Sequence, residues 1–102
     1  MRMHSILLIC LGLVAASVAQ ADEAILTKAG CMACHAKDKK LVGPAFKDVA
    51  AKYKGQDVAV ALAQKVRAGG KGVYGPIPMP PNPPEKISDA DLKESVGWIL
   101  KL

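Results

Sequence analysis

The sequence predicts an all-α domain of about four short helices wrapped around a bound group that completes its core. Three observations lead there. Apolar residues recur at helical spacing in four separate segments, and no segment alternates as a half-buried strand would. Beyond the N-terminal segment, only Phe46, Tyr53, Tyr74 and Trp98 contribute aromatic bulk. A chain of this length usually needs a staple such as a metal, a disulfide or a bound cofactor.

The 102 residues allow one domain at most, and residues 1–21 read as an export signal rather than as part of it. Arg2 gives a positive start, Ile6 to Val18 form an apolar stretch, and Ala19-Gln20-Ala21 fits a small-residue cleavage site. An uncleaved anchor would want about 20 apolar residues. Cys10 follows Leu7-Leu8-Ile9, without the small residues expected before a lipidated cysteine, and is read as part of the discarded signal. The expected mature domain is residues 22–102, a length of 81, with thirteen basic residues against nine acidic and a net charge of +4. Charge this mild and scattered suits an acidic protein surface and argues against nucleic acid.

The first helix is expected between Asp22 and Gly30, where Ala24, Ile25 and Leu26 precede Lys28 and a glycine stop. Gly43-Pro44 is expected to open the second, with Pro44 in its first position and Phe46, Val49, Ala50 and Tyr53 on one face; Gly55 would close it. Asp57 reads as N-cap of the third, whose face is Val58, Ala61, Leu62 and Val66, ending at Gly69-Gly70. Ser88, with Asp91 three residues on, marks the start of the fourth, in which Leu92, Val96, Ile99 and Leu100 repeat. The segment 72–84 holds too many prolines for a helix and is left as an ordered or disordered loop.

Cys31-Met32-Ala33-Cys34-His35 is C-x-x-C-H, the attachment signature of a c-type haem. On a helical turn, positions i, i+3 and i+4 share a side. Two thiols can therefore bond the two haem vinyl groups while the next imidazole reaches the iron. A zinc site would lack a fourth ligand, because the mature chain has no other Cys or His. A thioredoxin-like pair would expect a βαβ pattern, which is missing, and neither it nor a plain disulfide accounts for His35 or for the thin core.

One histidine leaves a second axial position on the iron, and its occupant separates an electron carrier from a sensor or a peroxidase. Met32 sits within the attachment motif, while Met1, Met3 and His4 leave with the signal, so Met79 is the remaining soft ligand. It stands between Pro78 and Pro80 in a loop stiffened by further prolines. Such a loop gives up less entropy in holding a weak thioether on iron. The expected centre is six-coordinate, with His35 and Met79 as metal ligands.

With these residues in place, the chain resembles the small bacterial class I cytochromes c of the c-551/c-552 type over essentially its whole mature length. The resemblance also rests on Val42-Gly43-Pro44-Ala45-Phe46-Lys47-Asp48-Val49-Ala50-Ala51-Lys52 and Gly75-Pro76-Ile77-Pro78-Met79-Pro80-Pro81-Asn82. It implies the class I cytochrome c fold around one covalent haem c, and a soluble, monomeric periplasmic carrier. It further implies that the Pro44 carbonyl accepts a hydrogen bond from the His35 ring, that Asn82 hydrogen-bonds near the Met79 sulfur, and that Lys65 lies near a haem propionate. Tyr74 stands where these proteins often have Trp as a propionate partner, and the stretch 82–87 is longer than in some relatives.

Lys37, Lys39 and Lys40 form a basic cluster after the motif, and Lys28, Lys47 and Lys71 are further candidates for a docking face. Trp98 is expected to pack between the terminal helices. The function expected is electron transport, not catalysis, between partners such as a quinol-oxidising cytochrome complex, a terminal oxidase, a nitrite reductase or a peroxidase. A small haem peroxidase would need an open iron site. A haem domain of a larger redox complex fits less well with a signal of its own and an end at Leu102.

Overall fold

A computed structural model describes the backbone of residues 18–102, their side chains from Asp22 onward, and Gly12. The expected export signal, Cys10 included, lies outside the described residues except for the helical backbone of 18–21. Helix α1 (Val18–Lys28) therefore runs through the expected cleavage point. After it come a 3₁₀ turn (Cys31–Ala33), α2 (Phe46–Lys52), α3 (Ala59–Ala68) and α4 (Asp89–Leu100). No β-strand occurs among the described residues; the one isolated bridge pairs Gly70 with Met79 in antiparallel fashion.

Helix α4 is the organiser, since it packs against α1, α2 and α3. Leu92 and Val96 form its buried face and join Ala29 and Ile87 in one cluster, with Ile25, Leu62, Val66 and Leu100 partly buried around it. The start of α4 follows the expectation: Ser88 has an extended backbone, and its hydroxyl accepts the Asp91 amide at 3.2 Å. Trp98 meets Phe46 of α2 edge-on, with centroids 6.4 Å apart and planes at 79°.

Two helix starts differ from the expectation. Pro44 is not the first residue of α2, because Ala45 is the N-cap and the helix begins at Phe46. The Phe46 and Lys47 amides donate to the Ala36 and Lys37 carbonyls at 2.9 Å each. Early helix donors that lack intrahelical partners are thus spent on the segment after His35, which ties that segment to α2. In α3 the N-cap is Val58 rather than Asp57, and no side chain caps the helix. Its packed face is Ala59, Leu62, Ala63 and Val66, whereas Ala61 is exposed. Leu62 and Val66 thus pack as expected, while Ala59 and Ala63 take the places expected of Val58 and Ala61.

Candidate functional site

Gly30, at φ 80°, turns the chain out of α1 and into the 3₁₀ turn. The Cys34 and His35 amides both donate to the Cys31 carbonyl, at 3.2 and 3.0 Å. One turn of backbone thereby groups the two cysteines and the histidine. Both cysteines are half-buried and form no disulfide. Burial pushes the Cys31 thiol up, and the nearby Lys86 ammonium opposes this in part.

His35 is held on three sides. Its Nδ1 lies 2.8 Å from the Pro44 carbonyl oxygen. A carbonyl only accepts, so Nδ1 carries the proton and Nε2 keeps its lone pair for a metal. Phe46 stacks on the ring at 5.0 Å and 16°. On a further side Gly43 meets the ring with no side chain of its own. The loop that carries Gly43 is closed by its amide, which donates to the Cys34 carbonyl at 2.7 Å.

The segment 72–84 is ordered where it carries Met79. The Met79 amide donates to the Gly70 carbonyl at 2.8 Å, and the Gly70 amide returns a bond to the Met79 carbonyl at 3.1 Å. Gly69 makes this approach possible. Its φ is 73°, and a β-carbon there would stand 2.6 Å from the Met79 carbonyl oxygen.

Cys31, Cys34, His35 and Met79 all line one cavity of about 320 Å³, walled by apolar side chains that include Leu26, Phe46, Leu62, Val66, Leu92 and Val96. Among the described residues no three His, Cys, Asp or Glu side chains converge as a metal-holding group. That donor set, two thiols, an imidazole with a free Nε2 and a thioether around an apolar slot, fits a flat apolar macrocycle bonded through sulfur and ligated by nitrogen and sulfur.

The remaining expected residues divide. Lys65 and Tyr74 line the same cavity, both exposed. The Lys52 ammonium sits 5.8 Å from the ring centres of both Tyr53 and Tyr74. Burial, then Tyr53 and Asp48, pushes the Tyr74 phenol up. Asn82 is 3% exposed, and its Nδ2 donates to the Val66 and Pro80 carbonyls at 3.0 and 3.1 Å, which uses both amide hydrogens. Of the lysines, Lys40 and Lys71 reach the cavity, while Lys28 lines a separate groove with Pro84 and Lys86.

Four features were missed from the sequence: the fit of Gly43 to His35, the Gly70 bridge, the contacts of Arg67, and Ser95, which is 1% exposed on the cavity wall. Gly69-Gly70 had read only as a helix stop. A lone Arg on a helix and a Ser next to Val96 carry no signal of their own.

Among the described residues no helix is long and apolar enough to cross a membrane. The family model for cytochrome c matches residues 21–102. Cytochrome c-552 of Nitrosomonas europaea is 50% identical over 91 residues, 88% of this chain and 86% of that protein. Cytochrome c-551 of Azotobacter vinelandii is 54% identical over 80 residues, 78% of this chain and 93% of its own length. The crystal structure of wild-type Nitrosomonas europaea cytochrome c552 superposes with a TM-score of 0.73 at 49% identity, covering 78% of this chain and 98% of that one.

Proposed function

The chain belongs to the cytochrome c family, as an electron-transfer protein with one haem c bound covalently through Cys31 and Cys34, and we propose that His35 and Met79 are its axial ligands. We further propose that it works as a soluble, monomeric periplasmic carrier. The observation that carries the ligation is the double backbone bond between Met79 and Gly70, which fixes the methionine at the cavity that His35 also lines.

Bound haem supplies a ferric–ferrous couple that gains or loses one electron. The residues around it keep that exchange cheap. Nδ1–H bonded to the Pro44 carbonyl and the Phe46 stack hold the imidazole in one tautomer and one orientation. The bridge and the prolines hold the thioether, so little of the chain has to rearrange between the two charge states. Apolar walls disfavour the more highly charged ferric form and raise the potential, as does the thioether itself.

The periplasmic location is supported by residues 1–21, read as a signal removed before Asp22. Partners proposed are a quinol-oxidising cytochrome complex as donor and a terminal oxidase, nitrite reductase or peroxidase as acceptor. The exposed rim of the cavity, with Leu41, Val42, Val73 and Ile77, is the surface through which we infer that they exchange electrons.

Absorption spectra of the purified holoprotein, with and without CO, test the ligation. An oxidised iron–sulfur charge-transfer band and no CO adduct in the native ferrous protein are expected. Met79→Ala should abolish the band and admit CO; a native protein that binds CO readily would sink the six-coordinate reading.

A further inference from the structure

The C-terminal end of α3 grips the methionine loop at two levels. Gly70 pairs with Met79, and three residues earlier the Arg67 carbonyl accepts the amide of Asn82 at 3.1 Å, three residues after Met79. The stretches 67–70 and 79–82 are thus fastened to each other at both ends. The Arg67 side chain then reaches further along the loop. Its Nη1 donates to the Asn82 carbonyl at 2.9 Å and to the Ile87 carbonyl at 2.7 Å, while Nη2 pairs with Asp89 at 2.5 Å.

We propose that Arg67 is a positioning residue, a guanidinium clamp that closes the loop 82–89 behind Met79 and sets how often the methionine leaves the iron. The inference rests on the His35/Met79 ligation proposed above. The donor geometry makes the clamp specific to arginine. Two carbonyls separated by the Pro83-Pro84 excursion need two donors on one nitrogen, and the carboxylate needs a third on the other. A lysine ammonium is a point donor without that fork. The bonds to Asn82 and Ile87 are part-buried and to backbone, so opening the loop leaves polar groups without partners. The Asp89 pair is of a different kind, because that carboxylate is 93% exposed and its attraction is screened by water.

The proposal is tested on the ferric holoprotein by the rate at which imidazole displaces the methionine, followed through loss of the iron–sulfur band. In Arg67→Gln the rate should rise about tenfold through loss of the charge-assisted bonds to two carbonyls. Arg67→Lys, which keeps the charge and provides a folded variant should Arg67→Gln fail, should stay well above the native rate. Asp89→Asn should change it less than about twofold. The accelerated rates should depend little on low denaturant concentrations, as expected of local loop opening and not of global unfolding.

Two results would overturn the role of Arg67 while leaving ligation intact: unchanged imidazole rates in Arg67→Gln and Arg67→Lys despite lowered melting temperatures, or a fast Asp89→Asn with a normal Arg67→Lys. A native protein with no iron–sulfur band would overturn the ligation and the clamp together.

Discussion

A β-carbon on Gly43 would stand 2.5 Å from Cε1 of His35 and 2.9 Å from both ring nitrogens. The imidazole therefore lies flat against bare backbone, with Phe46 stacked on it and Pro44 bonded to Nδ1. Gly43 is needed for contact here and not for an unusual φ, since it is absent from the glycines with positive φ.

Gly43→Ala should accordingly cost about 1–3 kcal/mol of stability by overpacking a site that has no room to yield. The loss should be measurable as a lowered denaturation midpoint of the holoprotein, together with a shifted imidazole signal in the paramagnetic NMR spectrum. A variant with native stability and an unmoved His35 signal would show that the ring relaxes freely.

Ser95 carries a second prediction. Its hydroxyl lies on the cavity wall and finds no hydrogen-bond partner among the described residues. A buried hydroxyl without a partner costs stability, so Ser95→Ala should leave the holoprotein as stable or up to about 1 kcal/mol more stable. A polar group on the wall of a haem cavity favours the more charged ferric state, so the same change should raise the reduction potential. A potential that falls, or a destabilisation beyond about 1 kcal/mol, would mean that the hydroxyl is bonded in the loaded protein.

Tyr74 gives a pH dependence with a definite sign. Its phenol is held above the usual value of about 10 by burial and then by Tyr53 and Asp48. The folded state thus binds this proton more tightly than the unfolded chain does. Its contribution to stability is complete below about pH 10 and is lost as the pH rises through the folded value. Tyr74→Phe should flatten that alkaline decline, seen in denaturation midpoints collected across the range. An identical decline in both proteins would assign it to other groups.

How far the sequence disclosed all this depended on the kind of signal each residue carried. The Cys31-Met32-Ala33-Cys34-His35 spacing and the faces of α2 and α4 are local, and they were legible because one turn of helix brings i, i+3 and i+4 together. Phe46, Ala50, Leu92 and Val96 are buried as the periodicity required. The start of α2 was placed two residues early because the partners of its first amides, Ala36 and Lys37, belong to the preceding loop. In α3, Leu62 and Val66 were legible in the same way, but the small Ala59 and Ala63 were not, because alanine carries too weak an apolar signal to mark a face. Arg67 and Gly43 were invisible for a related reason. Arg67 acts through atoms 15 to 22 residues away and Gly43 through the absence of a side chain, and neither leaves a pattern in the neighbouring letters.

The cavity rim supports a last prediction about docking. Lys40 and Lys71 stand at the cavity beside the exposed apolar Leu41, Val42, Val73 and Ile77, the last of these 63% exposed. Charge acts at a distance and should set the encounter rate, whereas the apolar rim acts only on contact. Raising the ionic strength from about 0.01 to 0.15 M shortens the Debye length from about 30 to 8 Å, so electron transfer with an acidic partner should slow over that interval. Lys71→Glu should slow it several-fold at low salt and converge on the native rate at high salt. Ile77→Ala should lower the rate by a similar factor at both, because desolvated contact is not screened. Lys28→Glu is the control, since its groove is separate from the cavity and its rates should stay close to native. A Lys28 effect as large as that of Lys71 would place the docking face elsewhere on the molecule.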